Sequence, residues 1–250
     1  MTVIATSPPR AVRAASARPG EWVLGLFVGA FLLAFVAWPA ATVAYVAFTE
    51  PGSKTFTLVN FADFFRNDLF LRSLWNSIYV GAMTVVWASI LALPLAVITT
   101  RFDFRGAIII QTLGFVPLIM PPFVGAVALQ MLFGRNGSIN LLLGDWFDIN
   151  IPFMEGLNGV IFVEALHYFP FILLNLSASL SNIDSAMEES AQNLGARGFT
   201  LFRCIVFPLA LPGYVAGAAL VFVKVFDDLA TPLLLNVTSM LAPQAYLKIT

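Results

Sequence analysis

The sequence predicts an all-α, polytopic membrane protein built as a helical bundle. Apolar residues make up 59% of 250 positions and charged residues only 11%, and the mean hydropathy is +0.88. A soluble domain carries about 25% charged residues, so this composition belongs to a chain whose solvent is lipid. The apolar residues also gather into runs long enough to cross a bilayer, which takes about 20 residues of helix. Net charge is −1, which leaves no basic field to recruit nucleic acid or anionic surfaces. Cys204 is the only cysteine, so an internal disulfide or a multi-cysteine metal site is excluded.

Five apolar runs are visible. Residues 1–21 hold Arg10, Arg13 and Arg18 among Ala, Ser and Pro and are expected to form a disordered tail. The run from Trp22 to about Phe48 exceeds a signal-peptide core and predicts a first, uncleaved span. Residues 49–73 are mixed, with Pro51-Gly52 as a turn and an amphipathic patch over 61–71. The second span is expected over 74–99, the third over 107–133, the fourth over 157–180 and the fifth over 208–235. Pro94, Pro117, Pro121 and Pro122 each remove a backbone donor, so the second and third spans should kink or unwind. Residues 134–156 are read as an outer loop.

With the amino terminus inside, seven loop arginines lie on the inner side (Arg10, Arg13, Arg18, Arg101, Arg105, Arg197, Arg203) against five basic residues outside. The bias has the sign of the positive-inside rule and places the loop between the fourth and fifth spans in the cytoplasm. That loop, 184–208, is a polar island. Ser185 and Glu188 have capping-box spacing for a helix start; Met187, Ala191 and Leu194 fall on one face, and Gly195 tolerates a left-handed stop. A second short helix should follow, with Phe199, Phe202 and Val206 as its apolar stripe.

Glu189-Ser190-Ala191, then Gly195, Ile205 and Pro208, resemble the EAA motif, the cytoplasmic loop signature of ABC importer permeases. Ser190 replaces the usual alanine and Phe207 the usual leucine. The resemblance implies the transmembrane domain of a type I ABC importer over 74–250, following the tail (1–21) and a first helix with its outer loop (22–73). It implies that Glu188, Glu189, Ser190, Ala191, Gly195, Arg197, Ile205 and Pro208 form the coupling segment that docks on a separate cytoplasmic ATPase dimer. An ordinary amphipathic hairpin between spans is the competing reading of this loop. The family's unit ends with a sixth span after the fifth, so the chain is expected to be either a five-span variant or a piece lacking the last helix. Leu132-Phe133-Gly134-Arg135-Asn136-Gly137 and Asp228-Leu229-Ala230-Thr231-Pro232-Leu233-Leu234-Leu235 are similar to Fe(III)-type permeases, and also to polyamine, thiamine and phosphonate permeases.

The expected role is therefore a permease subunit in a bacterial-type inner membrane, multi-pass, with its amino terminus cytoplasmic. The implied partners are an ATPase dimer, an extracytoplasmic solute-binding protein, a second permease unit and the bilayer, and no nucleic acid. No lysine follows a glycine as a phosphate-binding loop requires, so ATP and its Mg belong to the partner. No HExxH or GxSxG pattern is present, so no enzyme chemistry and no metal or other cofactor is expected in this chain. Intramembrane charges supply the alternative, a secondary transporter or channel: Glu164 with His167 at i, i+3, and Lys224 with Asp227 and Asp228 at i+3 and i+4. These groups are read as mutually neutralising pairs, as lining for a translocation path, or as a proton relay.

Overall fold

The computed structural model describes residues 19–50, 55–149, 151 and 154–249. The expected disordered tail lies outside the described residues up to position 18, and its last three residues already belong to a helix. The chain divides into two compact units, Met1–Arg66 and Asn67–Thr250.

In the first unit, α1 (Pro19–Leu32) runs through a five-residue π-helical turn (Leu33–Ala37) into α2 (Trp38–Ala47). Pro39 at the start of α2 has no N–H to give to Phe35, and the widened turn lies just before it. Residues Trp22–Ala47 form one helix of spanning length with mean hydropathy 2.2, as the apolar run predicts. Asn60, in α3 (Val59–Arg66), donates to the carbonyls of Ala47 at 3.1 Å and Thr49 at 3.0 Å, which satisfies acceptors left open where α2 stops. The amphipathic patch expected over 61–71 is divided, because Asn67 leaves the helix and caps the next one through Leu69 N at 3.0 Å.

The second unit is a bundle around α8. Its helices are α4 (Asp68–Arg101), α5 (Ala107–Ile119), α6 (Pro122–Phe133), α7 (Ser138–Phe147), α8 (Gly156–Ser181), α9 (Ser185–Asn193), α10 (Gly198–Leu201), α11 (Phe207–Asp227), α12 (Ala230–Leu234) and α13 (Leu241–Ile249). A π-helical turn, Phe202–Val206, joins α10 to α11. Over the most apolar 18-residue windows, 67% of α8 is buried, against 33% of α4 and 22% of the α10–α11 span, which makes α8 the central helix. Ile172, Leu173 and Leu176 are buried on α8, and α4, which packs along it, buries a row of small residues, Ser73, Ser77, Gly81, Thr84, Ala88, Ala92 and Ala96, with Gly81 facing the Phe222 ring of α11 and Ser77 accepting from Leu241 N. Lipid supplies no hydrophobic drive between helices, so close van der Waals contact along such a stripe is what joins them.

The registers fix the directions. Arg101 Nη2 donates to Leu180 O at 3.3 Å, while Tyr79 and Asn158 share a wall of one apolar groove, so α4 and α8 run parallel. Tyr214 lies 3.0 Å from Ser89, and Gly217 lies where an added Cβ would come within 2.7 Å of Ile172 Cα, so α11 runs antiparallel to both. Because α4 and α8 finish at the same end, residues 102–155 carry the chain back to the other end. Gly114 of α5 sits at the level of Leu173 and Gly125 of α6 at that of His167, which is the return crossing.

That crossing is not the continuous third span expected. Met120 and Pro121 are extended, and the helices on either side are bent by 105°. Pro121 restricts Met120 to extended backbone and Pro122 then restarts a helix at its first position, where a missing N–H costs nothing. The proline-driven break is as the sequence predicts, whereas α4 continues as helix through Pro94. Among the described residues four helices are long and apolar enough to span, or five if the bent pair is one span. The fifth span expected to reach 235 ends at Asp227, and the outer loop over 134–156 contains α7. After α12 the chain folds back along α4: Asn76 donates to Ser239 O at 2.8 Å, Leu241 N donates to Ser77 Oγ at 2.8 Å, and Lys248 lies 4.5 Å from the Phe70 ring.

Candidate functional site

The elbow between α8 and α11 is built by local rules. The amide of Ala186 donates to Asp184 Oδ1 at 2.9 Å, so Asp184 is the N-cap of α9. The capping box expected from Ser185 and Glu188 is therefore not formed: Ser185 is the first helical residue, one position too far in to accept those donors. At the other end Ala196 N donates to Ala191 O at 3.0 Å and Gly195 N to Gln192 O at 2.9 Å, the paired bonds of a Schellman stop. Gly195 holds φ +94, as the sequence predicts, and Gly198 holds φ +51 three residues on. Arg197 between them is extended and exposed.

Within α9, Ala191 is buried, Glu189 is exposed, and Ser190 satisfies its hydroxyl on Ala186 O at 2.7 Å. Ile205 is half-buried in the widened turn before α11. Pro208 has no N–H for Cys204 O, and in that turn Phe207 N donates to Phe202 O instead. The apolar residues at the bend are not a buried stripe: Leu194 is 90% exposed, Phe199 75% and Met187 52%. Held outward on a polar loop, these side chains leave an apolar patch open at the bend.

Glu188 is aimed inward. Its Oε1 meets Arg101 Nη1 at 2.5 Å, with side chains 17% and 26% exposed. The same guanidinium donates to Leu180 O, so one arginine ties the end of α4 to the end of α8 and to α9. The sequence offers Arg101 only as an inner-side charge opening a short hydrophilic hinge, Arg101-Phe102-Asp103-Phe104-Arg105, and not as a partner of this loop. Its position 87 residues from Glu188 leaves no local spacing to read.

The charged groups nearer the middle do not form the expected pairs. Lys224 is exposed and, among the described residues, in no ion pair. Helix α11 ends at Asp227, which is exposed, and Asp228 is extended, so the i+4 geometry with Lys224 is never reached. The Asp228 carboxylate instead accepts from Ala230 N at 2.9 Å and from Thr231 Oγ1 at 2.6 Å, holding the start of α12. Glu164 is 1% exposed and neither carboxylate oxygen has a hydrogen-bond partner, so it is not bonded to His167. His167 packs edge-on against Tyr168, centroids 4.8 Å apart, on the side of Gly125. Among the described residues no group of three His, Cys, Asp or Glu could hold a metal ion.

A bundle of this topology is the transmembrane fold of ABC importers. It superposes on a bacterial alginate ABC transporter, solved with an alginate-bound periplasmic protein, with a TM-score of 0.66 over 91% of this chain and 87% of that one, at 14% identity. A second alginate importer structure gives the same TM-score at 16% identity. Residues 88–247 match the family described as the binding-protein-dependent transport system inner membrane component, and the chain belongs to that family. It is 34% identical over 148 residues to the molybdenum transport system permease protein ModB of Haemophilus influenzae, covering 59% of this chain and 64% of that one. It is 24% identical over 219 residues to the ferric transport system permease protein FbpB of Actinobacillus pleuropneumoniae, covering 86% of this chain and 32% of that one. Against the spermidine/putrescine permease protein PotC of Escherichia coli K12 it is 29% identical over 163 residues, 65% of this chain and 56% of the relative. The chain thus spans a third to two thirds of the length of these relatives.

Proposed function

We propose that this chain is the membrane-spanning subunit of an ATP-driven importer, and that the α9–α10 elbow is where it takes up motion from a separate ATPase. The observation that carries the reading is the elbow itself. Leu194 and Phe199 project outward from a bend fixed by Gly195 and Gly198, while Glu188 locks the base of the bend to α4. A hairpin that merely connected two spans would bury those side chains or replace them with polar ones, so the geometry favours docking over the plain hairpin.

In this reading the elbow end of the bundle faces the cytoplasm, as does the amino terminus, and ATP with its Mg is bound by the partner. Two such units enclose the path, and a solute-binding protein delivers a small solute on the opposite side. Nucleotide on one partner and loaded binding protein on the other bias two packings of the bundle, and no covalent chemistry occurs in this chain. The relatives are named for molybdenum, ferric iron and spermidine/putrescine, which are chemically unlike cargoes, so they support a small solute without selecting ferric iron. Glu164 and His167, on the central helix, are the proposed polar contacts with the path. The secondary-transporter alternative loses its charge pair, because Lys224 stands apart from both aspartates.

The test is reconstitution. The subunit should co-purify with an ATPase in stoichiometric amount and transport only with ATP and the binding protein. Transport driven by an ion gradient without an ATPase overturns the proposal.

A further inference from the structure

A groove of about 420 Å³ opens between α4 and the elbow, lined by Leu93, Pro94 and Val97 on one wall and Phe199, Phe202 and Phe207 on the other, with Arg203 at its edge. The α4 wall lies one to two turns before Arg101, the last residue of that helix, so the groove sits near the polar end of α4. Its walls are hydrocarbon, and its width is set by three aromatic rings, with Phe199–Phe202 centroids 6.4 Å and Phe202–Phe207 centroids 5.8 Å apart. A slot of this kind, walled by hydrocarbon and rings, admits an extended alkyl chain.

The edge of the slot is cationic and unspent. Arg101 at the same end of the bundle is held by Glu188 and Leu180 O. Arg203 is exposed and, among the described residues, in no ion pair. An arginine whose stem lies against apolar rings while its guanidinium reaches the headgroup layer presents planar paired donors to a phosphate. Arg197, exposed on the same elbow, adds positive field without touching the slot.

We infer that this groove binds one anionic phospholipid, with an acyl chain between the α4 wall and the phenylalanines and its phosphate on Arg203. The site shares Phe199 with the docking surface of the transport reading and lies on the segment that reading makes mobile, so a bound lipid would brace the elbow, and lipid retention tests it without any transport measurement.

The experiment is lipid retention by the purified chain in mild detergent, read by native mass spectrometry after exchange into equal phosphatidylglycerol and phosphatidylcholine. Wild type should retain one phosphatidylglycerol. Arg203→Gln should lower that occupancy at least tenfold, and Arg197→Gln should leave it unchanged. Val97→Trp, which fills the slot, should abolish retention while the melting temperature stays at the wild-type value, which separates loss of the site from loss of the fold. Wild-type retention by Arg203→Gln, equal retention of the two lipids, or displacement by glycerol 3-phosphate at the same concentration overturns the proposal. A Val97→Cys cross-link in native membranes to another protein chain, in a Cys204→Ala background, overturns it as well.

Discussion

Replacing Arg101 by alanine removes the guanidinium that joins α4, α8 and α9, leaving the Glu188 carboxylate, 17% exposed, without its cation and Leu180 O without a donor. Fully exposed ion pairs contribute about 0.2–1 kcal/mol, whereas breaking a fully buried pair costs about 3–5 kcal/mol. Side chains 26% and 17% exposed lie between these limits, so the expected loss is about 2 kcal/mol. In a chain of this size that corresponds to a fall in melting temperature of about 4–8 °C. The assay is a double-mutant cycle in detergent: Arg101→Ala, Glu188→Ala, the double variant, and the swap Arg101→Glu with Glu188→Arg. If the pair acts as the geometry states, the double variant is less damaged than the sum of the singles by about 1 kcal/mol, and the swap recovers part of the loss. Trypsin supplies a second reading, since loosening the base of the elbow should speed cleavage after exposed Arg197 in both single variants. Strictly additive effects with unchanged cleavage would refute the coupling of Arg101 to Glu188.

Gly195→Val forces a β-branched residue to φ +94, costing about 1–2 kcal/mol or more; the subunit should insert normally, and ATP-driven uptake should be lost, as measured in proteoliposomes. Gly217→Val places a Cβ against Ile172 Cα and Phe171 O and should sharply lower the melting temperature, while Gly144→Val, which meets open space, should not. Asp228→Ala removes the acceptor for Ala230 N and Thr231 and should cost about 1 kcal/mol in thermal stability, with Asp228→Asn keeping most of it. Lys224→Ala, exposed and outside any ion pair among the described residues, should change the melting temperature by less than 2 °C, within the about 0.5 kcal/mol of ordinary surface changes.

The long helices were legible because their signal is length and apolarity: α8 matches the run 157–180 within a residue at each end. Gly195 was legible because a left-handed stop favours one residue type. What failed was competition between neighbours. Asp184 and Ser185 are both good caps, and one step of register decides which accepts from Ala186 N. Lys224 and Asp228 have pairing spacing only if the helix continues, and Asp228 instead leaves it, its carboxylate accepting from Ala230 N and Thr231 Oγ1. The small-residue stripe of α4 reads as ordinary apolar filler until its partner is known, since what makes Gly81 or Ala88 useful is the bulk facing it. Arg101 with Glu188, and α13 laid on Phe70 and Ser77, are contacts across long separations that no local pattern announces.

The π-turn at Phe202–Val206 joins the elbow to α11 without a loop, so residues 198–227 form one lever rather than two linked parts. At 1.5 Å per residue its arm is about 45 Å, and a pivot of about 5° at the elbow sweeps the far end through about 4 Å. Asp228 sits at that far end, gripping Ala230 and Thr231, so under the proposed coupling a small tilt imposed beside Arg197 would arrive as a displacement of several ångström where α12 packs against α6 and α8.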